Sequence, residues 1–515
     1  MAADSSVSST SEKSDDADRL AGFLAKMYGP LIVALLAIWT WRPLTGSEDF
    51  WIHIATGRWI WQNQSVPRET LWLWTTPSQP WVAHSWLSEL FLYGIMQAGG
   101  AHLVLLVTII LVTLPFIWFW KLWARRGRIS ALTPIFFTFA IWCASVRFQP
   151  RPELFSYFFM SLLLLFLIQW PRSATRWNVL GIIALFALWA NFHGAVALGV
   201  LIIFLTAGCE LLQQKFARES WKLVAIAAAC ALAVNLNPYG FAYWKALRQV
   251  GGAMFKMIDE WKPPLTEPAL PLLAVALVLL IAIVALLGWT KNPQRRWSQL
   301  LWLAVGVLFF LTARRNIWPC ILISLAVCAA NANGLSAFRS FALTPPLRVY
   351  ARGLAVAFVI GFALLAISSE AISQRNGVLG LRATSRVLPV GVADAVLSRQ
   401  LPGPIFNDYL RSGYFHWRFS GHPPLFIDLQ NVYPPELLAE YFDIIRRTPR
   451  GIKALEQRKI NTVVFGKYRS TDRLAPLAKY LDQSPQWQRV YSREDGAIWT
   501  RRAPMSSVAT APLAR

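Results

Sequence analysis

The sequence predicts an α-helical polytopic membrane protein with a C-terminal α/β domain outside the membrane. Three observations support this fold class. Apolar residues make up 55% of the 515 residues and charged residues only 15%, whereas an average soluble domain contains about 25% charged residues. Apolar runs of near-membrane length recur up to residue 369, and the chain then changes to mixed polar and apolar sequence. This composition excludes an ordinary soluble enzyme and an intrinsically disordered chain.

The net charge of +23 comes from 50 basic and 27 acidic residues. Loops beside anionic lipid carry such an excess, so we expect membrane lipid as a partner and no nucleic acid. All five cysteines lie inside apolar runs, namely Cys143, Cys209, Cys230, Cys320 and Cys328. No two have C-x-x-C spacing, so the sequence predicts neither a disulfide framework nor a zinc cluster.

The chain begins with a Ser-, Asp- and Ala-rich stretch, 1–20, which is typical of a disordered cytoplasmic tail. The run 21–41 is long enough to span a membrane, and no cleavage site follows it, so we expect a retained anchor. Further apolar runs predict spans at 101–123, 131–146, 153–170, 177–191, 195–214, 222–236, 271–289, 299–313, 317–330 and 351–369. The predicted transmembrane domain is therefore 21–369, with a first outer loop at 42–100.

The orientation follows from the basic residues in alternate loops. They are Arg125, Arg126 and Arg128; Arg172 and Arg176; Lys215, Arg218 and Lys222; Lys291, Arg295 and Arg296; and Arg339 and Arg348. If these loops are cytoplasmic, the positive-inside rule is obeyed, the N-terminus is cytoplasmic and about 11 transmembrane helices place the C-terminal domain outside. This topology requires 85–99, which contains Glu89, to be an interfacial or re-entrant helix. A twelve-span alternative would put Arg125–Arg128 outside.

The C-terminal part predicts an extracytoplasmic α/β domain at 370–505, followed by a disordered tail at 506–515. Short β-rich runs occur at 404–407, 414–418, 424–428 and 461–466, and helical patterns occur near 434–447, 450–458 and 472–482. Residues 487–501 predict a hairpin that turns at Glu494-Asp495-Gly496.

Polar and ionisable residues gather in the other set of loops, on the predicted outer face. The candidate site residues are Glu48, Asp49, His53, Arg58, His84, Glu89, Arg147, Arg151, Asn191, His193, Glu260, Arg314 and Arg315. Ionisable groups near bilayer depth are costly, so their concentration on one face favours a functional site.

Each of these residues also has a purely structural interpretation. Glu48 and Asp49 could cap the helix that starts near Phe50. Arg147 and Arg151 could extend to lipid headgroups, and the polar side chains of the 191–193 segment could satisfy backbone groups at a helix end. His53 and Arg58 lie five residues apart and need not share a helix face. The functional interpretation is favoured, because the structural interpretations would have to apply independently to many residues that all lie on the same face.

Acids and arginines together at the outer surface favour a substrate that carries phosphate at that depth, because Arg binds phosphate bidentately. A carboxylate within reach of an acceptor hydroxyl can act as a general base. A lipid-phosphate sugar donor supplies an electrophilic anomeric carbon and an anionic leaving group. The sequence contains no hydrolase triad, phosphate-binding loop or metalloprotease motif.

Several motifs resemble a family of bacterial polytopic membrane proteins related to the GT-C glycosyltransferases, the superfamily of protein O-mannosyltransferases, oligosaccharyltransferases and aminoarabinose transferases. They are Asp49-Phe50-Trp51-Ile52-His53-Ile54-Ala55-Thr56-Gly57, Pro80-Trp81, His84-Ser85-Trp86-Leu87-Ser88-Glu89, Arg151-Pro152-Glu153, Ala190-Asn191-Phe192-His193-Gly194, Asn237-Pro238-Tyr239-Gly240, Glu260-Trp261 and Phe426-Ile427-Asp428. The resemblance spans nearly the whole chain and implies a GT-C-like fold in the bacterial cytoplasmic membrane.

The resemblance implies that Asp49, in the first outer loop, is the general base for the acceptor. Glu48 is the alternative candidate for this role. It implies a polyprenyl-phosphate sugar donor and a glycan, lipid or protein acceptor, and it leaves a divalent cation open. The Trp-Trp-Asp type of motif is lacking, which argues against transfer to protein Asn. Two other functions remain open: a non-catalytic transporter or flippase of lipid-linked sugars, and an envelope-assembly scaffold. A transporter would be expected to have charged or broken helices near the midplane.

Overall fold

The computed structural model describes residues 48–127, 132–249, 257–266, 270–335, 388–466 and 475–503. The predicted tails, the first predicted span (21–41) and the last (351–369) lie outside these residues. Up to residue 335 the described chain consists of helices joined by loops. The helices are α1 Glu48–Asn63, α2 Trp86–Arg126, α3 Leu132–Ala144, α4 Glu153–Ile168, α5 Arg176–Phe192, α6 Val196–Gln213, α7 Arg218–Ala233, α8 Ala242–Gln249, α9 Leu272–Lys291, α10 Trp297–Thr312, α11 Ile317–Ala330 and α12 Ala332–Leu335.

The apolar helices coincide with the predicted spans to within a few residues. In the described ranges, α2, α6 and α9 are long and apolar enough to cross a membrane. Shorter apolar helices cover Thr133–Arg147, Glu153–Ile168, Arg176–Phe192 and Trp297–Thr312. The protein is thus a mostly helical protein with candidate membrane helices, and the count of eleven spans stays a prediction.

Helix α2 is broken at Gly99 and Gly100. Gly100 has φ 62°, a left-handed conformation that favours glycine, and Gly99 is also non-helical. An unbroken helix of 41 residues would be about 60 Å long, twice the thickness of the hydrocarbon core. The break falls where the predicted non-crossing segment 85–99 ends, so it separates that segment from the predicted span that follows.

The helical bundle has an aromatic core. Trp189, Trp302 and Trp318 are fully buried in it, and Trp302 Nε1 donates to Thr206 Oγ1 at 3.0 Å. A buried indole N–H otherwise costs free energy, so this hydrogen bond explains the Thr in an apolar helix.

The C-terminal part contains a four-stranded sheet with helices packed against it. Its elements are α13 Val390–Arg399, β1 Ile405–Asn407, α14 Ser412–Phe419, α15 Pro435–Ile445, α16 Pro449–Gln457, β2 Thr462–Gly466, α17 Ala475–Gln483, β3 Trp487–Arg493 and β4 Gly496–Arg501. The strand order is β1-β2-β4-β3. β1 and β2 are parallel, starting with the pair Ile405 and Thr462, and the other neighbours are antiparallel. The predicted hairpin at 487–501 is confirmed.

Two predicted strands are wrong. Residues 414–418 belong to helix α14, although aromatic residues favour strands. The helix forms because it packs on α1: a Cβ at Gly413 would lie 2.9 Å from the Glu48 carbonyl oxygen. Residues 424–428 form no strand, since only Leu425 makes an isolated bridge, to Leu73 of the first loop. Helix α13 was not predicted.

The first outer loop and the C-terminal domain share one hydrophobic core. Phe50, Trp51 and Ile54 of α1 belong to the same buried cluster as Phe406 and Phe415. The Trp51 ring meets the Tyr414 ring edge-on at 5.2 Å, and Trp74 Nε1 donates to the Ile405 carbonyl at 2.9 Å. This packing holds α1 between the bundle and the C-terminal domain. The predicted boundaries of the domains remain predictions.

Candidate active site

A cavity of about 1030 Å³ lies where α1, the ends of the bundle helices and the C-terminal domain meet. The predicted site residues that line it are Glu48, Asp49, His53, His84, Glu89, Arg151, His193, Glu260 and Arg315. They come from segments far apart in the chain. The fold therefore brings most of the predicted residues into a single site.

Three arginines and three carboxylates form a charged cluster in this site. Its members are Asp49, Glu153, Glu260, Arg147, Arg151 and Arg315. Arg147 contacts Glu153 at 2.6 Å and Glu260 at 2.8 Å. Arg315 contacts Glu153 at 3.3 Å and Glu260 at 3.0 Å. Arg151 bridges Asp49 at 3.0 Å and Glu260 at 3.5 Å. The formal charges balance, which explains how so many ionised groups are tolerated together.

The arginines hold the pKa of Glu260 far below its usual range. Burial acts to raise that pKa, but Arg315, Arg147 and Arg151 outweigh it. Arg315 also lies over the ring of Trp261, 4.2 Å from its centroid. Glu260 is therefore a permanent anion that fixes the positions of the arginines.

Glu48 and Asp49 occupy the first turn of α1 but have different surroundings. Asp49 pairs with Arg151. The Glu48 carboxylate lies 3.6 Å from Arg411 of the C-terminal domain. Burial raises the pKa of Glu48 to about 7, and the nearby carboxyl of Asp408 adds to this effect. Glu48 consequently exchanges a proton near neutral pH.

His53 and Glu89 are held together by a close approach of two helices. His53 Nδ1 lies 2.9 Å from Glu89 Oε1. One turn after His53, on the same face of α1, a Cβ at Gly57 would lie only 2.1 Å from the Glu89 carbonyl oxygen. Only glycine allows this approach, so Gly57 lets a buried carboxylate orient the imidazole of His53.

Two further histidines are neutral in the site. Burial lowers the pKa of His84 to about 4 and that of His193 to about 3. His193 Nδ1 accepts from the Ala195 amide at 3.3 Å and lies 2.8 Å from Ser156 Oγ. Since an amide can only donate, Nδ1 is the acceptor and the ring proton is on Nε2. His193 is thus a neutral hydrogen-bond donor at the cavity wall.

Arg58 and Arg314 do not line the cavity in the described part of the chain. Arg58 donates to the Trp417 carbonyl at 2.6 Å and lies over the Trp417 ring, 4.4 Å from its centroid. Because Arg58 lies five residues after His53, the two side chains are on different faces of α1. Arg58 therefore faces the C-terminal domain and not the cavity. Arg314 donates to the Thr266 carbonyl at 2.8 Å. Both arginines therefore bind other segments of the protein, which the sequence analysis did not expect.

Asn191 and Arg147 stand behind the cavity wall. Asn191 accepts from Trp86 Nε1 at 2.8 Å and donates to the Leu236 carbonyl at 2.7 Å. It thereby ties helix ends together, which is the structural role weighed above for this segment. Arg147 is absent from the lining, and its pairs with Glu153 and Glu260 support the residues that do line it.

Sequence reasoning missed several residues that line the cavity. They are Glu153, Asp408, Tyr409, Arg411 and Asn431. Glu153 belongs to the quoted Arg151-Pro152-Glu153 motif. Asp408 follows β1 directly, and the carboxyl end of a parallel strand is a usual place for a functional residue, so this signal was readable.

The cluster does not offer a ready cation site. Among the described residues, no group of three or more His, Cys, Asp and Glu side chains could hold a metal ion. Each carboxylate of the charged cluster already contacts an arginine. A divalent cation at Asp49 or Glu260 would have to displace a guanidinium.

No family model and no curated relative matches the chain. Solved structures do. The archaeal oligosaccharyltransferase AglB from Archaeoglobus fulgidus, in complex with an inhibitory peptide and a dolichol-phosphate, matches with a TM-score of 0.57 and 10% identity over 86% of this chain and 70% of its own. The apo form of the Archaeoglobus fulgidus oligosaccharyltransferase matches with a TM-score of 0.53 and 12% identity over 87% of this chain and 69% of its own.

A third structure, ArnT from Cupriavidus metallidurans bound to undecaprenyl phosphate, gives a TM-score of 0.45 at 13% identity, over 91% of this chain and 97% of its own. The two oligosaccharyltransferase matches each cover more than four fifths of this chain. They show the fold, and the resemblance read from the first outer loop is confirmed at that level: the chain has the GT-C fold.

Proposed function

We propose that the protein is an integral-membrane glycosyltransferase of the inverting GT-C type. It transfers a sugar from a polyprenyl-phosphate-linked donor to an acceptor of the cell envelope, on the extracytoplasmic face. One observation carries the proposal: the Asp49 carboxylate and the Arg151 guanidinium lie 3.0 Å apart in a cavity of about 1030 Å³. A proton acceptor and a phosphate-binding group are side by side.

The cavity suits a donor with both an anionic and an apolar part. Arg151 and Arg315 supply forked donors for phosphate oxygens. Apolar residues form another part of the wall, and of these Leu201 and Phe309 are partly exposed. They offer an apolar surface on which the first part of a polyprenyl chain can lie. The dolichol-phosphate bound to the similar AglB structure supports this donor class.

The reaction is a single displacement at the anomeric carbon. The acceptor hydroxyl oxygen forms the new bond to that carbon, and the bond from the carbon to the phosphate oxygen breaks. Polyprenyl phosphate leaves with the electron pair, and Arg151 and Arg315 stabilise its growing charge. The hydroxyl proton passes to the Asp49 carboxylate. When the donor phosphate binds Arg151, it weakens the hold of Arg151 on Asp49 and so frees the base.

The acceptor would enter from the C-terminal domain. Asp408, Tyr409 and Asn431 line that side of the cavity, and they provide hydrogen-bonding groups for a glycan, lipid or protein hydroxyl. Glu48 lies between this side and Asp49. Its pKa of about 7 makes it the second candidate for the base, since a base works best near its operating pH.

The test uses the full-length chain in nanodiscs. We expect mass spectrometry to find a sugar-bearing polyprenyl phosphate that co-purifies with the wild type and with Asp49→Asn. On addition of envelope extract, the wild type should release polyprenyl phosphate and Asp49→Asn should not. Glu219→Gln, which removes an exposed acid outside the cavity, should behave as the wild type. Turnover by Asp49→Asn at the wild-type rate, or no such lipid with either protein, would contradict the proposal.

A further inference from the structure

A second cavity, of about 680 Å³, lies at the other ends of the same helices. Helix α4 begins at Glu153 in the charged cluster and ends at Ile168, which lines the second cavity. Helix α11 likewise begins beside Arg315 and ends at Ala330. With 16 residues in α4 and a rise of about 1.5 Å per residue, the two cavities are about 24 Å apart. The second cavity is therefore independent of the candidate active site.

The lining of the second cavity is strongly basic. Its cations are Lys121, Arg125, Arg126, Arg172 and Arg296, and its side-chain amides include those of Gln169, Asn292, Gln294, Gln299 and Asn331. Within the described residues no carboxylate lines it. Outside the lining, the Glu210 carboxylate lies 3.8 Å from Arg296.

Helix capping explains only part of this basic character. Arg126 donates to the Ala330 carbonyl at 3.1 Å, and Arg296 donates to the Leu167 carbonyl at 3.2 Å. These carbonyls lie in the last turns of α11 and α4, where arginine side chains commonly bind carbonyl groups. The two arginines are thereby fixed, half-buried, at the inner end of the cavity.

The remaining cations have no such role. Within the described structure, Lys121, Arg125 and Arg172 make no hydrogen bond or ion pair with another residue, and all three are exposed. Arg172 and Arg296 are close enough to Arg126 to repel it. Like charges gathered without a counter-charge are unfavourable unless an anion neutralises them.

The floor of the cavity is a rigid network of buried amides. Asn292 donates to Asn331 at 2.7 Å, and Asn331 donates to Gln299 at 2.9 Å. Asn331 and Gln299 are almost completely buried. Next to this floor, Trp118, Leu122 and Leu165 form an apolar wall. The cavity thus combines fixed donors and cations with an apolar surface on one side.

We infer that this second cavity is a binding site for a phosphate-bearing anion. Arg126 and Arg296 are held in place to bind the phosphate oxygens, and Arg125 and Arg172 close over them from the rim. The same chemistry fits the headgroup of an anionic phospholipid, whose acyl chains would lie on the apolar wall, and a soluble phosphate.

The test compares the full-length wild type with the double variant Arg125→Gln/Arg172→Gln in nanodiscs of neutral lipid. Neither substitution removes a hydrogen bond or ion pair of the described structure, so we expect the fold to be preserved, and the melting temperature checks this. The control Arg176→Gln/Arg218→Gln makes the same charge change outside the cavity. One arm adds phosphatidylglycerol and counts retained lipids by native mass spectrometry, and the other adds inorganic phosphate and measures the thermal shift.

We expect the double variant to bind one of the two probes about 30-fold more weakly than the wild type and the control, because each arginine beside anionic lipid contributes a factor of about five to six. A loss confined to phosphatidylglycerol identifies a lipid site, and a loss confined to phosphate identifies a soluble ligand. Equal binding of both probes by all three proteins would overturn the inference.

Discussion

Asp49 Oδ2 lies 3.0 Å from Arg151 Nη1, and the same Arg151 nitrogen lies 3.5 Å from Glu260 Oε2. Asp49 is therefore more than an acid at a helix N-terminus. Arg151, which lies just before α4, contacts Asp49 of the first outer loop and Glu260 of the 259–261 turn. A ligand that binds Arg151 therefore lies next to all three segments.

Asp49→Asn tests the base. Asn caps a helix about as well as Asp, so a capping role predicts a loss of a few tenths of a kcal/mol in stability and normal turnover. A general base predicts a fall in turnover of about 10²–10⁴-fold with the fold intact. Single-turnover transfer and the melting temperature, measured beside Glu219→Gln, distinguish the two roles.

Arg151→Lys tests the phosphate contact. Lys keeps the charge but loses the fork that reaches two acceptors. We expect donor binding to weaken about 10- to 160-fold, since a charge-assisted hydrogen bond contributes about 1.5–3 kcal/mol. Arg218→Lys, at an exposed position on α7, is the matched control. Donor affinity equal in the two variants would remove Arg151 from the binding site.

Glu48→Gln should change the pH dependence of stability. The pKa of Glu48 in the folded protein is about 7, raised from 4.5, so folding favours the protonated form. The stability this contributes is complete below pH 4.5 and is lost as the pH rises toward 7. Above neutral pH the wild type should therefore be about 1–3 kcal/mol less stable than Glu48→Gln.

Melting curves at pH 4.5 and pH 8.5 check this expectation. The gap between Glu48→Gln and the wild type should be small at the lower pH and large at the higher one. A gap that is the same at both values would show that Glu48 titrates as an ordinary exposed carboxyl.

Gly57→Ala should separate α1 from α2. The new methyl group would lie 2.1 Å from the Glu89 carbonyl oxygen, and such overpacking costs about 1–3 kcal/mol. The contact of His53 with Glu89 should be lost with it. Gly94→Ala, in the same helix as Glu89, meets no atom within 4 Å and should stabilise by about 0.5–1 kcal/mol. Thermal unfolding of both variants gives the comparison, and equal melting temperatures would refute the steric argument.

The orientation can be tested with reporter fusions. A reporter after Arg128 should be active in the cytoplasm, and one after Arg375 should be active outside. The eleven-span topology requires opposite sides, so reporters on the same side would rule it out.

Local patterns predicted the helices well because an apolar run long enough to cross a membrane has few alternatives to a helix. They also predicted that the polar outer loops meet. The strand prediction at 414–418 was wrong, because the contact of Gly413 with α1 decides that segment and lies more than 350 residues away in sequence. The same reason hid the role of Arg58, which binds the Trp417 carbonyl in the C-terminal domain.

The core shared by α1 and the C-terminal domain sets an order for biosynthesis. Phe50 and Trp51 leave the ribosome well before Phe415, their partner in the same buried cluster. At about 5–20 residues per second, roughly 350 residues of chain take about 20–70 s to synthesise. During that interval the α1 segment can pack on Leu73 and Leu92 of the same cluster but lacks its aromatic partners from the C-terminal domain. A nascent chain that stalls before β1 would expose them, which makes this segment the natural target for a chaperone or a quality-control protease.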